Sequence, residues 1–67
     1  MIVVIKTSTP EQEINRIRQE LQETWQVTTE KSVGRHKTVI GLIGDTATLD
    51  PMQIQNVSPW IEQVLRV

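Results

Sequence analysis

The 67-residue sequence contains no cysteine, no tyrosine and no phenylalanine. Without cysteine it can form neither a disulfide nor a thiolate metal site, as is typical of proteins in a reducing compartment, so we expect a cytoplasmic location. Seven basic against eight acidic residues give a formal net charge of −1, which creates no overall field favouring nucleic acid. No apolar run approaches the roughly 20 residues that span a bilayer. The composition therefore predicts no nucleic-acid partner and no membrane partner.

The length predicts a single domain over residues 1–67 with a small core. A chain of about 60 residues buries only about 60% of the surface that its unfolded form exposes, so such a domain is marginal without a partner. The sequence stops at Val67, directly after a strand-like run. This favours a domain boundary at that point, and we expect the chain to be the N-terminal fragment of a longer enzyme.

Two apolar runs, Met1–Lys6 and Thr38–Asp45, indicate strands because both are too short for buried helices. A half-solvated strand alternates apolar and polar residues, whereas a continuous apolar run indicates burial on both faces. Successive side chains of a strand point to opposite faces, so helices can cover one apolar set, and either set can meet them. The other set then needs a second cover, which predicts contact with another domain or a second copy. The candidate interface residues are Ile2, Val4, Val39 and Ile43.

A helix is predicted from about Pro10 to Thr24. Thr9 is a candidate N-cap, and Gln12 would complete a Thr-x-x-Gln capping box. The apolar face of this helix is given by the i, i+3, i+7 spacing of Ile14, Ile17 and Leu21.

The remaining elements follow from alternation and from turn residues. Val27–Val33 has the charged, β-branched pattern of an edge strand, and Gly34 marks a hairpin turn into the strand Lys37–Ile43. Asp50-Pro51 opens a short helix. Its expected core side chains are Met52 and Val57, with Ile54 or Gln55 as the third. A last edge strand is predicted over Trp60–Val67.

The predicted element order is therefore β-α-β-β-α-β. Two apolar central strands flanked by two polar edge strands match an α+β, ferredoxin-like sandwich: a four-stranded antiparallel sheet of order 4-1-3-2 with two helices on one face.

The sequence offers few combinations of side chains suited to catalysis, and no catalytic or metal-ligating residues are proposed. His36 stands between Arg35 and Lys37 in a polar turn, without the nucleophile and orienting carboxylate that a catalytic histidine needs. Gly41 and Gly44 are not accompanied by the further glycines or the lysine of a phosphate-binding loop. A glycine within a strand, such as Gly41, more often permits a close approach of another backbone. RNA-recognition domains of this fold stack bases on aromatic residues of the central strands, which are aliphatic here. With these functions excluded, the sequence favours a non-catalytic module that mediates association or binds an effector.

Several motifs resemble one family. They are MIVVIK at the N-terminus, the S-x-G of Ser32–Gly34, TVIGLIGD over Thr38–Asp45 and the closing IEQVLRV over Ile61–Val67. Together with the first helix, these motifs resemble the N-terminal ferredoxin-like, ACT-like domain of 3-deoxy-D-arabino-heptulosonate 7-phosphate (DAHP) synthase. The similar family is the bacterial type in which this domain precedes a TIM barrel, and the resemblance covers essentially the whole chain.

The resemblance implies a regulatory role in the first step of aromatic amino-acid biosynthesis, the shikimate pathway. In this family the barrel condenses phosphoenolpyruvate with erythrose 4-phosphate and holds a divalent metal, so no cofactor is expected in this domain. Tyrosine or phenylalanine inhibits regulated members by binding between the N-terminal domains of two subunits of a homo-oligomer. The parent chain would then be an aldol-type transferase with its catalytic TIM barrel as an intramolecular partner.

The resemblance also implies candidate effector-binding residues. Ser32 matches one of a polar pair on the second strand, and Glu30 stands where a well-known regulated member has histidine; Asp45, at the end of TVIGLIGD, is the third candidate. Each also fits a structural role, Glu30 and Ser32 as outward residues of an edge strand and Asp45 as a turn residue. The alternative function is an association or docking module that binds no small molecule.

Overall fold

The computed structural model describes residues 1–44 and 46–66, and its elements follow the predicted order. Their bounds are β1 Ile2–Ile5, α1 Glu11–Trp25, β2 Thr28–Val33, β3 Thr38–Ile43, α2 Pro51–Gln55 and β4 Ile61–Leu65. The strands form one four-stranded sheet of order β2-β3-β1-β4, and each neighbouring pair is antiparallel. The predicted ferredoxin-like α+β fold is confirmed.

The register of the two central strands separates the sheet into two faces. Val3 lies opposite Ile40 and Val4 opposite Val39, so each strand presents alternate residues to opposite faces. Val3 and Ile40 are fully buried and pack with the helices, which assigns the opposite set to the face without helices. That opposite face is called here the open face. It carries all four candidate interface residues, Ile2, Val4, Val39 and Ile43.

The core lies between the sheet and the two helices. Helix α1 buries the apolar side chains predicted from its spacing, Ile14, Ile17 and Leu21, and Trp25 packs against the core at its end. Gln26 then ends α1 in a left-handed conformation with φ 55°. The other buried hydrophobic members of this cluster are Val3, Ile5, Val27, Ile40, Leu42, Leu49, Ile54 and Ile61.

The predicted capping box at the start of α1 is wrong. The N-cap residue is Pro10, which has no side chain that can accept a hydrogen bond. The Thr9 hydroxyl instead donates to the Lys6 carbonyl at 2.6 Å, closing a turn between β1 and the helix. Because that local acceptor engages the hydroxyl, Gln12 has no capping partner in Thr9.

The second helix is shorter than predicted: it buries Ile54, and Val57, which follows the helix, packs against the core as expected. Asp50 caps it, accepting a hydrogen bond from the Met52 backbone N–H at 2.9 Å, as its position before Pro51 suggests. Ile54 is fully buried, whereas the Met52 side chain is 71% exposed. The expectation that Met52 belongs to the core is therefore wrong, because α2 turns the side chain of its second residue to solvent.

Strand β4 follows the prediction but has an irregular start. Its register against β1 shifts between Val4 and Ile5, where Ile5 pairs with Ile61. At the other end, the Arg66 guanidinium donates to the carbonyls of Ala47 and Leu49 and so fixes the segment that leads into α2. Among the described residues, no helix is long and apolar enough to cross a membrane.

Candidate functional site on the open face of the sheet

The open face is built from rows of side chains that cross the strands. One row runs Glu30, Gly41, Ile2 and Leu65 from β2 to β4, because each of these residues lies opposite the next. The adjacent row is Ser32, Val39, Val4 and Gln63. Residues directly opposite on one face have Cβ atoms roughly 5 Å apart, so neighbouring members of a row can contact one ligand.

The two polar candidates lie together at one edge of this face. Glu30 and Ser32 are both exposed, stand two residues apart on β2, and therefore point the same way. Glu30 lies beside Gly41, and Ser32 lies beside Val39. The site thus combines a carboxylate and a hydroxyl with an aliphatic floor. Asp45, the third candidate, lies outside the described residues.

The aliphatic part of the open face differs in exposure from one strand to the next. Ile43 is 51% and Leu65 is 45% exposed, whereas Val4 at the centre is only 5% exposed. Val4 is covered because side chains from both neighbouring strands crowd it in its row. The solvent-exposed apolar surface is therefore concentrated at the ends of β3 and β4. The middle of the open face exposes less apolar surface than the sequence pattern suggested.

Strand β2 is held from its other face by α1. The Arg18 side chain donates from Nε to the Thr29 hydroxyl at 3.1 Å and from Nη2 to the Thr29 carbonyl at 3.4 Å. Lys31 lies 3.5 Å from the Glu11 carboxylate on the same helix. Thr29 and Lys31 flank Glu30 in sequence, so these contacts fix the backbone that presents the polar pair.

Sequence reasoning did not identify the contribution of Arg18 and Thr29. Both are ordinary surface residue types, and Thr29 is buried only because the helix crosses this part of the sheet. The signal that could have found them is the period-2 pattern of β2, which places Thr29 on the helix side.

We expect the Thr29→Val substitution to loosen β2 without unfolding the domain. Valine keeps the shape of threonine but removes the hydroxyl that accepts from Arg18, a loss of about 1 kcal/mol, which corresponds to roughly fivefold faster local opening. Amide hydrogen exchange at Glu30 and Ser32, followed by NMR, measures this opening. Thr28→Val is the matched control, because Thr28 is exposed on the other face; equal acceleration by both variants would contradict the assignment.

The turn between β2 and β3 is rich in basic side chains. Arg35, His36 and Lys37 are exposed there, and Lys37 pairs with Glu62 of β4. Within residues 1–44 and 46–66, no group of three or more metal-ligating side chains is brought together.

Comparison with known proteins agrees with the ferredoxin-like fold. The model of a sequence family described as the DAHP synthase ferredoxin-like domain matches residues 1–67. Among solved structures, the chain is similar to phospho-2-dehydro-3-deoxyheptonate aldolase (DAHP synthase) from Thermotoga maritima, with 32% sequence identity, a TM-score of 0.80 and coverage of 98% of this chain. The chain spans 19% of the length of that chain. No curated protein matches the sequence.

Proposed function

This chain belongs to the family of DAHP synthase ferredoxin-like domains, and we propose that it is the regulatory, effector-binding domain of a cytoplasmic DAHP synthase. The effector is tyrosine or phenylalanine, and it inhibits the enzyme by drawing the domains of two subunits together. The observation that carries this proposal is the position of Glu30 and Ser32 beside an aliphatic surface on the face that the helices leave open. An aromatic amino acid matches such a surface because it has one apolar and one polar end.

Each part of the site has a defined role in this proposal. The Ser32 hydroxyl can donate to or accept from the polar end of the effector, and the Glu30 carboxylate can accept a hydrogen bond from its ammonium group or from a phenolic hydroxyl. Glu30 repels the effector's own carboxylate, which therefore points away from β2. The aliphatic side chains of the open face, from two copies of the domain, bury the aromatic ring.

Catalysis in the parent enzyme belongs to the barrel domain and not to these residues. That domain holds the divalent metal and condenses phosphoenolpyruvate with erythrose 4-phosphate. The regulatory domain acts by its position, because a pair of domains held together by effector restricts access to the barrel. The transferase activity and the oligomeric state of the parent enzyme are parts of this proposal.

Titration of each amino acid into isotope-labelled domain tests the effector site. We expect amide shifts centred on residues 30–32 and 39–43, with weak affinity in the lone domain because half of the site comes from a second copy. Effector binding that spans two copies must also strengthen their association, since the coupling is reciprocal. Sedimentation velocity with and without the amino acid measures that association. Association without any ligand-induced shift at millimolar amino acid would favour the docking module that binds no small molecule.

The 67-residue chain itself should have no synthase activity. The described residues bring together no metal-ligand cluster, and the lysines of the sequence are ordinary surface residues. Incubation with phosphoenolpyruvate, erythrose 4-phosphate and manganese should leave both substrates at the concentration of a protein-free control. Consumption of either substrate above that control would overturn the assignment of catalysis to another domain.

A further inference from the structure

Gly41 leaves a gap in the row of the open face that contains Glu30. It lies between Glu30 and Ile2, opposite both of them, and it contributes no side chain. Since neighbouring strands are about 4.8 Å apart, the side chains of Glu30 and Ile2 rise roughly 10 Å from each other with only main chain between them. The floor of this gap is the Gly41 peptide.

The walls of the gap differ in chemistry. Val39 and Ile43 stand before and after Gly41 on the same face of β3, and Ile2 closes the side toward the centre of the sheet. Glu30 closes the side toward the edge, with Ser32 next to it. Three walls are therefore aliphatic and the fourth is anionic.

The backbone does not require glycine at this position. Its φ lies outside the positive range that favours glycine, in contrast to Gly44 at 127°. A Cβ on Gly41 would meet the Glu30 carbonyl at 3.8 Å, an ordinary contact, and among the described residues nothing else within 4 Å. Glycine inside a strand lowers stability, so the missing side chain serves the surface and not the fold.

We propose that Gly41 forms the slot that receives the aromatic ring of the effector. The ring lies flat on the Gly41 main chain between Ile2 and Glu30, with the ammonium or phenolic end at Glu30 and Ser32. This inference rests on the proposed function and assigns the ring a place within that site. It also makes the residue at position 41 the determinant of how large a ring the site accepts.

The substitutions Gly41→Ala and Gly41→Val test the slot. Each fills the gap from its floor, and a methyl group that a tight site must accommodate weakens binding about tenfold or more. We expect tyrosine and phenylalanine affinity, measured by amide shifts, to fall about tenfold for alanine and further for valine. The thermal midpoint should stay equal or rise in both variants, because alanine and valine are better strand residues than glycine. Gln22→Ala, at an exposed position of α1 on the opposite side of the sheet, is the control and should bind like the parent chain.

Three outcomes separate the slot from the regulatory function. Weakened binding at unchanged or raised stability in the two Gly41 variants supports the slot. Effector binding that both variants retain, with shifts at Glu30 and Ser32, overturns the slot and leaves the regulatory function standing. Failure of the parent chain to bind either amino acid at millimolar concentration, with association confirmed, overturns both.

Discussion

The Leu21→Ala variant should be largely unfolded under conditions in which the parent chain is folded. Leu21 is fully buried on the core side of α1, and a buried leucine truncated to alanine costs about 2 to 5 kcal/mol. A domain of this size is stable by roughly 3 to 10 kcal/mol in total. The loss is therefore comparable with the whole free energy of unfolding.

Urea titration followed by circular dichroism measures this effect. The neighbouring substitution Gln22→Ala is the control, because Gln22 is exposed on the same helix and should change the free energy of unfolding by less than about 0.5 kcal/mol. A Leu21→Ala variant that loses less than 1 kcal/mol, on the order of a surface substitution, would show that α1 does not cover the sheet as described.

The Ile43→Asp substitution should weaken the proposed self-association of the domain roughly 30-fold while leaving it folded. Ile43, the last residue of β3, is 51% exposed, so an aspartate there meets water in the monomer. Between two copies of the domain, the same carboxylate would be buried without a group of opposite charge or a hydrogen-bond donor. A residue central to an interface contributes about 2 kcal/mol or more, which corresponds to roughly 30-fold weaker association. Sedimentation equilibrium over a range of concentrations gives the two association constants.

Val33→Asp provides the matched control for this experiment. Val33 is also a β-branched aliphatic residue, and its side chain is 69% exposed, but its alternation along β2 places it on the face opposite Glu30 and Ser32. It should therefore leave the association constant unchanged. Equal loss of association in both variants would show that net charge, and not the open face, controls the interaction.

The fold was predictable because its signals are local or periodic. The unbroken apolar runs identified β1 and β3 as central strands, and the spacing of Ile14, Ile17 and Leu21 identified the buried side of α1. The short helix α2 was predicted less well, since five residues do not establish a period and Met52 could not be distinguished from Ile54 by spacing. The Thr9 cap failed because a competing acceptor, the Lys6 carbonyl, comes from the preceding turn.

The site was only partly predictable, because it depends on register. Alternation alone places Glu30 and Ser32 on one face of β2, but it cannot tell which residues of β3 lie beside them. The pairing of Glu30 with Gly41 and of Ser32 with Val39 is set by the β2–β3 hairpin and appears only in the structure. The contact of Arg18 with Thr29 joins two elements through tertiary packing, which no short sequence window contains.

The central position of β1 has a consequence for the synthesis of the chain. Strand β1 pairs on one side with β3 and on the other with β4, and both partners follow it in the sequence. Neither partner has been synthesised while α1 and β2 are emerging, so the nascent apolar strand has two unpaired edges until β3, and then β4, follow. Such a segment is exposed to aggregation until Leu65 is available, and chaperone occupancy of the nascent chain should peak before that residue emerges.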